Sequence, residues 1–270
     1  MRSPRSASDW IGFVAFGGLA VVTLRAPAGV ALFLLPTLAH EGLTALSFLL
    51  RAPTRRTLGG AWPRIAAYGG SFALLLFLQA ARSGRPEWLT ATSNDWLRTG
   101  GVLLWLCGAV LAVGALWPLR HAFSLEPAAR GLVTCGPYAF ARHPIYAGYL
   151  VQYAGMWLVY PTAPLAGAIA AWIALMLARV RYEERVLVSA FPAYAEYCRH
   201  VPRFCPMPRL PRPASLTRVL ADVRGVETLE WIVVGALIAA TAIAVLPGTL
   251  RGQLTAAVGA IGATILGLAG

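Results

Sequence analysis

Lysine is absent from the 270 residues, so all 23 basic side chains are arginine, set against only 11 Asp and Glu. Charged residues make up 13% of the chain, about half of what a soluble domain carries. With 58% hydrophobic residues and a mean hydropathy of +0.64, that scarcity excludes an ordinary soluble domain. Cysteine is rare: Cys107, Cys135, Cys198 and Cys205 form no CxxC pair, which argues against a disulfide scaffold. Cys135, His143, Cys198 and His200 match no standard zinc spacing. Also missing are a sustained period-2 alternation and a strand followed by a Gly-rich phosphate loop. A Rossmann-type nucleotide fold is therefore excluded, and any cofactor site must be built from helices. The net charge of +12 comes with no nucleic-acid-binding motif, so nucleic acid is not an expected partner.

What the chain does have is a series of apolar runs near bilayer length. Eight are marked, at about 10–24, 28–50, 65–81, 100–119, 145–160, 163–178, 229–247 and 252–269. The expected fold class is all-α, a polytopic membrane bundle of about eight spans that includes a helical hairpin at 145–178. The first run follows Arg2 and Arg5. It reads as a membrane helix rather than a cleaved signal, because Arg25-Ala26-Pro27 is a poor cleavage context. The arginines gather in the 51–64, 120–144 and 179–228 segments, which places all three on the cytoplasmic side by the positive-inside rule. Tyr160-Pro161-Thr162 breaks the hairpin, so 120–144 and 179–206 are expected to meet at that face. Small residues at Gly259 and Ala263 suit either helix packing, hence a homo-oligomer through the C-terminal spans, or an ordinary Gly-rich membrane helix.

Three groups of polar residues carry the chemistry. His40 and Glu41 fall inside the second run, where polar groups are costly; they either line a cavity or satisfy one another and a backbone group. Gly131-Leu132-Val133-Thr134-Cys135-Gly136-Pro137-Tyr138 leads into Arg142-His143-Pro144-Ile145-Tyr146-Ala147-Gly148. Gly136-Pro137 is a turn signal, and Pro144 suits the first turn of a helix, which puts His143 at its N-terminal end. Free N–H groups there suit a carboxylate or phosphate. Arg179-Val180-Arg181-Tyr182-Glu183-Glu184-Arg185 puts Arg179 and Glu183 on one helical face, either as a surface ion pair or as a site.

These strings, with Phe191-Pro192-Ala193-Tyr194 and the segment through Pro206, resemble the isoprenylcysteine carboxyl methyltransferase family and its bacterial relatives, to which phospholipid methyltransferases are similar. The resemblance implies S-adenosylmethionine at the cytoplasmic end of the helices. Its cofactor residues fall on Leu132, Val133, Tyr138, His143, Pro144, Ile145, Tyr146 and Glu183, and its substrate-orienting arginine falls on Arg179. Arg179 and Glu183 are thus the expected catalytic pair, with no metal. Aromatic faces would stabilise the sulfonium, and Arg179 would hold a carboxylate bidentately. A family residue near Ser124 maps only loosely.

The expected organisation is 1–117 as N-terminal spans, 118–206 as the methyltransferase core, 207–228 as a Pro/Arg-rich linker and 229–270 as two C-terminal spans. The expected partners are a lipophilic small molecule or lipidated substrate, with a carboxylate favoured, and membrane lipid, in a bacterial inner membrane. The competing readings are an NADPH-dependent reductase of the sterol type, which shares a related RHPxY and EE pattern, and a non-catalytic membrane protein that retains the core.

Overall fold

The computed structural model describes residues 7–24 and 31–204. Among them are seven helices: α1 (Ala7–Leu24), α2 (Ala31–Leu50), α3 (Ala61–Gly84), α4 (Asp95–Leu119), α5 (Pro144–Val159), α6 (Ala163–Ala190) and α7 (Ala193–His200). Six of the eight expected spans thus have a helical counterpart. The 207–228 linker, the last two spans and the oligomer contact expected of them lie outside the described residues. By length and apolarity three stretches among the described residues can cross a bilayer: Ala61–Leu78, Asp95–Leu119 and Ala163–Ala190. The chain is a helical membrane protein, and the expected count of eight spans is not established.

Local chemistry sets the helix ends. Asn94 caps α4, its Oδ1 accepting from the N–H groups of Trp96 (3.0 Å) and Leu97 (3.2 Å). Pro144 occupies the first turn of α5 behind His143. α6 is longer than the apolar run at 163–178 suggested, because Arg179 and Glu183 pair across one turn and carry the helix on to Ala190. It stops at Phe191, which is extended (φ −133°, ψ 103°) as the residue before Pro192 must be. The Arg179–Leu187 motif therefore lies within α6 rather than beyond the hairpin.

α5 packs along α4 and only lightly on α6. Glycines allow the close approach: a Cβ on Gly108 would sit 2.5 Å from the backbone N of Gln152, and one on Gly148 2.7 Å from the N of Ala112. On the other side α3 packs on α6, where Trp172 donates through Nε1 to the Gly70 carbonyl (2.8 Å) above a core of Leu74, Leu165, Met176 and Val180. α1 packs on α2 through Phe16 and Phe48.

The two ends of the bundle differ. At one, β1 (Arg56–Thr57) pairs antiparallel with β2 (Ala128–Ala129), a short ladder in a chain expected to lack strands. The Ala52 N–H adds a bond to the His121 carbonyl (2.7 Å), and Arg142 and His143 donate through their backbone to Pro202 (2.8 Å) and Arg203 (2.9 Å). The described parts of the three arginine-rich segments thus share one end. At the other end, the Thr162 hydroxyl donates to the Trp88 carbonyl (2.6 Å) and the Thr92 N–H to Val159 (2.8 Å). Exposed tryptophans mark both levels, Trp62 and Trp117 at the first and Trp96 and Trp157 at the second, the distribution of interfacial belts.

Candidate active site

A cavity of about 330 Å³ opens between α2, α3, α5, α6 and the 122–138 segment, reaching from the arginine-rich end toward the middle of the bundle. Of the sequence-expected residues, Leu132, Val133, Tyr138, His143, Ile145, Tyr146, Arg179 and Glu183 all line it. Pro144 does not; buried in the first turn of α5, it sets the direction of that helix instead. Ser124 lines the cavity too, and its carbonyl accepts from Arg179 (3.3 Å).

Glu183 is the junction of the site. Its Oε1 accepts from the Tyr146 hydroxyl (2.7 Å) and from Arg179 Nε (2.8 Å), and its Oε2 faces His143 Nδ1 at 3.8 Å. His143 is buried and its ring stacks on Tyr146 with centroids 5.7 Å apart. Its Nε2 reaches Glu184 (3.3 Å), so the imidazole stands between two carboxylates from adjacent positions of α6. Arg179 lies 5.6 Å from the Tyr146 ring centroid and is otherwise committed to the protein, through NH1 to Ala67 O (3.2 Å) and Ser71 Oγ (2.7 Å).

Around this junction is a supporting cluster that the sequence reading did not assign. Glu184 binds Arg142 (2.8 Å) and Arg203 (2.7 Å) as well as His143, joining the segment before α5 to the segment after α7. The bond to Glu184 raises the Arg203 guanidinium above its usual range. Tyr197 donates to the Tyr138 carbonyl (2.5 Å) and holds the Gly136–Ala139 turn, where Gly136 takes φ +57°. Burial pushes the phenols of Tyr138, Tyr194 and Tyr197 up, so all three stay protonated.

His40, Glu41 and Thr44 of α2 also line the cavity, with Tyr149 and Tyr153 of α5. Tyr149 Oη lies 2.5 Å from His40 Nε2. Tyr149 and Tyr153 went unassigned in the sequence, although Tyr146, Tyr149 and Tyr153 recur at helical spacing, a signal that was there to find.

The sequence relates the chain to known proteins. Residues 96–193 match the family model for phospholipid methyltransferases. The chain is 33% identical over 158 residues to the cobalt-zinc-cadmium resistance protein CzcN of Cupriavidus metallidurans, covering 58% of this chain and 67% of that protein. It is 30% identical over 158 residues to the nickel-cobalt-cadmium resistance protein NccN of Alcaligenes xylosoxydans xylosoxydans, covering 57% and 71%. It is 30% identical over 119 residues to protein-S-isoprenylcysteine O-methyltransferase B of Arabidopsis thaliana, covering 41% and 60%. The chain belongs to the membrane methyltransferase family that holds the phospholipid and isoprenylcysteine methyltransferases. It is a methyltransferase of the membrane.

Proposed function

We propose that the protein transfers a methyl group from S-adenosylmethionine to a lipophilic acceptor reached from the bilayer. The observation that carries this is one cavity holding a carboxylate, a stacked His–Tyr pair and a loop backbone at its arginine-rich end, and apolar helix faces at its other. The donor set fits the cofactor. Glu183 Oε2 can receive an ammonium or ribose hydroxyl, and the faces of Tyr138 and Tyr146 suit a sulfonium. The hydroxyl of Tyr194, buried and lining the cavity, has no hydrogen-bond partner among the described residues, as expected of a group kept for a ligand. Leu132 and Val133 line the same wall. Bound there, the cofactor supplies an electrophilic methyl group on a cationic sulfur.

The protein's own part is alignment and exclusion of water. Arg179 and Tyr146 fix the Glu183 carboxylate, and Glu184 with Arg142 and Arg203 closes the site on the solvent side. The arginine-rich end faces the cytoplasm of a bacterial cell, the source of the cofactor. Two acceptor head groups come into question: a carboxylate, which needs no base and would meet the single N–H that Arg179 leaves free, or a nucleophile that must lose a proton.

Calorimetric titration of the detergent-purified chain with S-adenosylmethionine, S-adenosylhomocysteine and NADPH tests the reading. Binding of the adenosyl compounds, weakened at least about tenfold in Glu183→Gln, is expected, the size of one lost charge-assisted hydrogen bond. Binding of NADPH alone would move the assignment to a reductase.

A further inference from the structure

Two observations bear on what the enzyme methylates. The first is the state of Arg179. A guanidinium has five N–H groups, and here Nε binds Glu183, NH1 binds both Ala67 O and Ser71 Oγ, and NH2 binds Ser124 O. One N–H remains, whereas a carboxylate fork needs two parallel ones. The second is the polar face of α2. His40, Glu41 and Thr44 sit at helical spacing and turn into the cavity. Thr44 is 1% exposed, and its hydroxyl has no hydrogen-bond partner among the described residues. His40 Nε2 and the Tyr149 hydroxyl lie 2.5 Å apart, and with the imidazole proton on Nδ1 the phenol donates to Nε2. Leu75, Leu78 and Met156 continue the cavity as apolar lining suited to a hydrocarbon tail.

We propose that the acceptor is a lipophilic molecule whose nucleophile carries a proton (a hydroxyl, phenol or amine rather than a carboxylate) and that Tyr149 and His40 remove that proton. The inference rests on the methyltransferase reading of this cavity and names its substrate class. The acceptor heteroatom bonds the methyl carbon as the carbon–sulfur bond breaks with its electron pair left on sulfur. The heteroatom's proton passes to the Tyr149 oxygen while the Tyr149 proton moves to His40 Nε2. One positive charge leaves the sulfur and one is gained by His40. Thr44 bonds the acceptor head. Such a pair is superfluous for a carboxylate, which arrives already ionised at neutral pH.

The test uses the full chain in detergent without cofactor. The probe is a long-chain alkyl-nitrophenol, at a pH below its own pKa, where the free probe is mostly neutral. The wild type is expected to bind it with the visible absorption of the phenolate. His40→Gln and Tyr149→Phe are each expected to lower that absorption about tenfold, the effect of one lost charge-assisted bond. An alkyl carboxylate of equal chain length is expected to compete about tenfold or more weakly than the phenol. S-adenosylhomocysteine binding, measured in parallel, is expected to be unchanged in both variants, which shows that they are folded. Phenolate absorption that is absent from the wild type, or equal in all three proteins, overturns the proposal, as does a carboxylate that outcompetes the phenol. A wild type that ionises the probe but binds no adenosyl compound refutes the cofactor reading and leaves the proton-accepting pair intact.

Discussion

Glu184 offers the sharpest test of how the site is held together. Its side chain is 11% exposed and receives Arg142 at 2.8 Å, Arg203 at 2.7 Å and His143 at 3.3 Å. Removing one member of a buried ion pair strands its partners and costs about 3–5 kcal/mol. The Arg203 side chain is 48% exposed, so solvent screens much of its share. The cost then falls mainly on Arg142, 13% exposed, and on His143, 6% exposed. For Glu184→Ala we take about 3 kcal/mol, at the lower end of that range. At about 2–4 °C per kcal/mol for a chain of this size, the apparent melting temperature in detergent should fall by about 6–12 °C. Tryptophan fluorescence during a thermal ramp reads this directly. Glu184→Gln, which keeps one acceptor oxygen, should fall between wild type and Ala. A double-mutant cycle of Arg142→Gln with Glu184→Gln should give a coupling of about 1–3 kcal/mol. An Ala variant that melts within about 2 °C of wild type would refute the argument, and would mean that the cluster is solvated in the folded protein.

Three more outcomes follow from the geometry. Gly108→Leu should prevent stable folding, because its Cβ alone would lie 2.5 Å from the backbone of Gln152; loss of a monodisperse peak in size-exclusion chromatography checks it. Asn94→Ala should cost about 1 kcal/mol through the lost α4 cap, readable as a small drop in melting temperature. Burial raises the Tyr138, Tyr194 and Tyr197 phenols, so the folded chain keeps protons that the unfolded chain releases near pH 10. Stability should therefore be fully present below that pH and be lost as the pH rises above it, with Tyr197→Phe reducing the steepness in alkaline melting curves.

Much of the arginine-rich end of the cavity was legible because its residues are local in sequence. Tyr138, His143 and Tyr146 lie within one turn-and-helix entrance, and Glu183 repeats Arg179 after one helical turn. Pro144 and Phe191-Pro192 mark helix ends by backbone sterics alone. What could not be read was long-range. Nothing in the spacing says that Glu184 rather than Glu183 collects Arg142 and Arg203, since neighbouring helix positions differ only in which side they face. The short β1–β2 ladder escaped notice because a two-residue strand has no periodicity to detect. The position of α2 over the cavity likewise depends on its packing against α1 and α4, which no local motif encodes.

Thr44 ties stability to function in a way that can be measured on one substitution. A buried hydroxyl without a partner loses its hydration on folding and recovers nothing, a cost of about 1–3 kcal/mol. Ser47, one turn on, avoids this by donating to the Leu43 carbonyl (2.7 Å). Thr44→Val keeps the side-chain shape and removes the hydroxyl. If the hydroxyl is held for a ligand, the variant should melt as high as the wild type or a few degrees higher, by about 2–4 °C per kcal/mol relieved. The same variant should bind the nitrophenol probe more weakly, because the head group loses one bond worth about 0.5–1.5 kcal/mol. The opposite pattern, lower melting with unchanged probe affinity, would mean that Thr44 serves the fold and that the polar face of α2 does not select the acceptor.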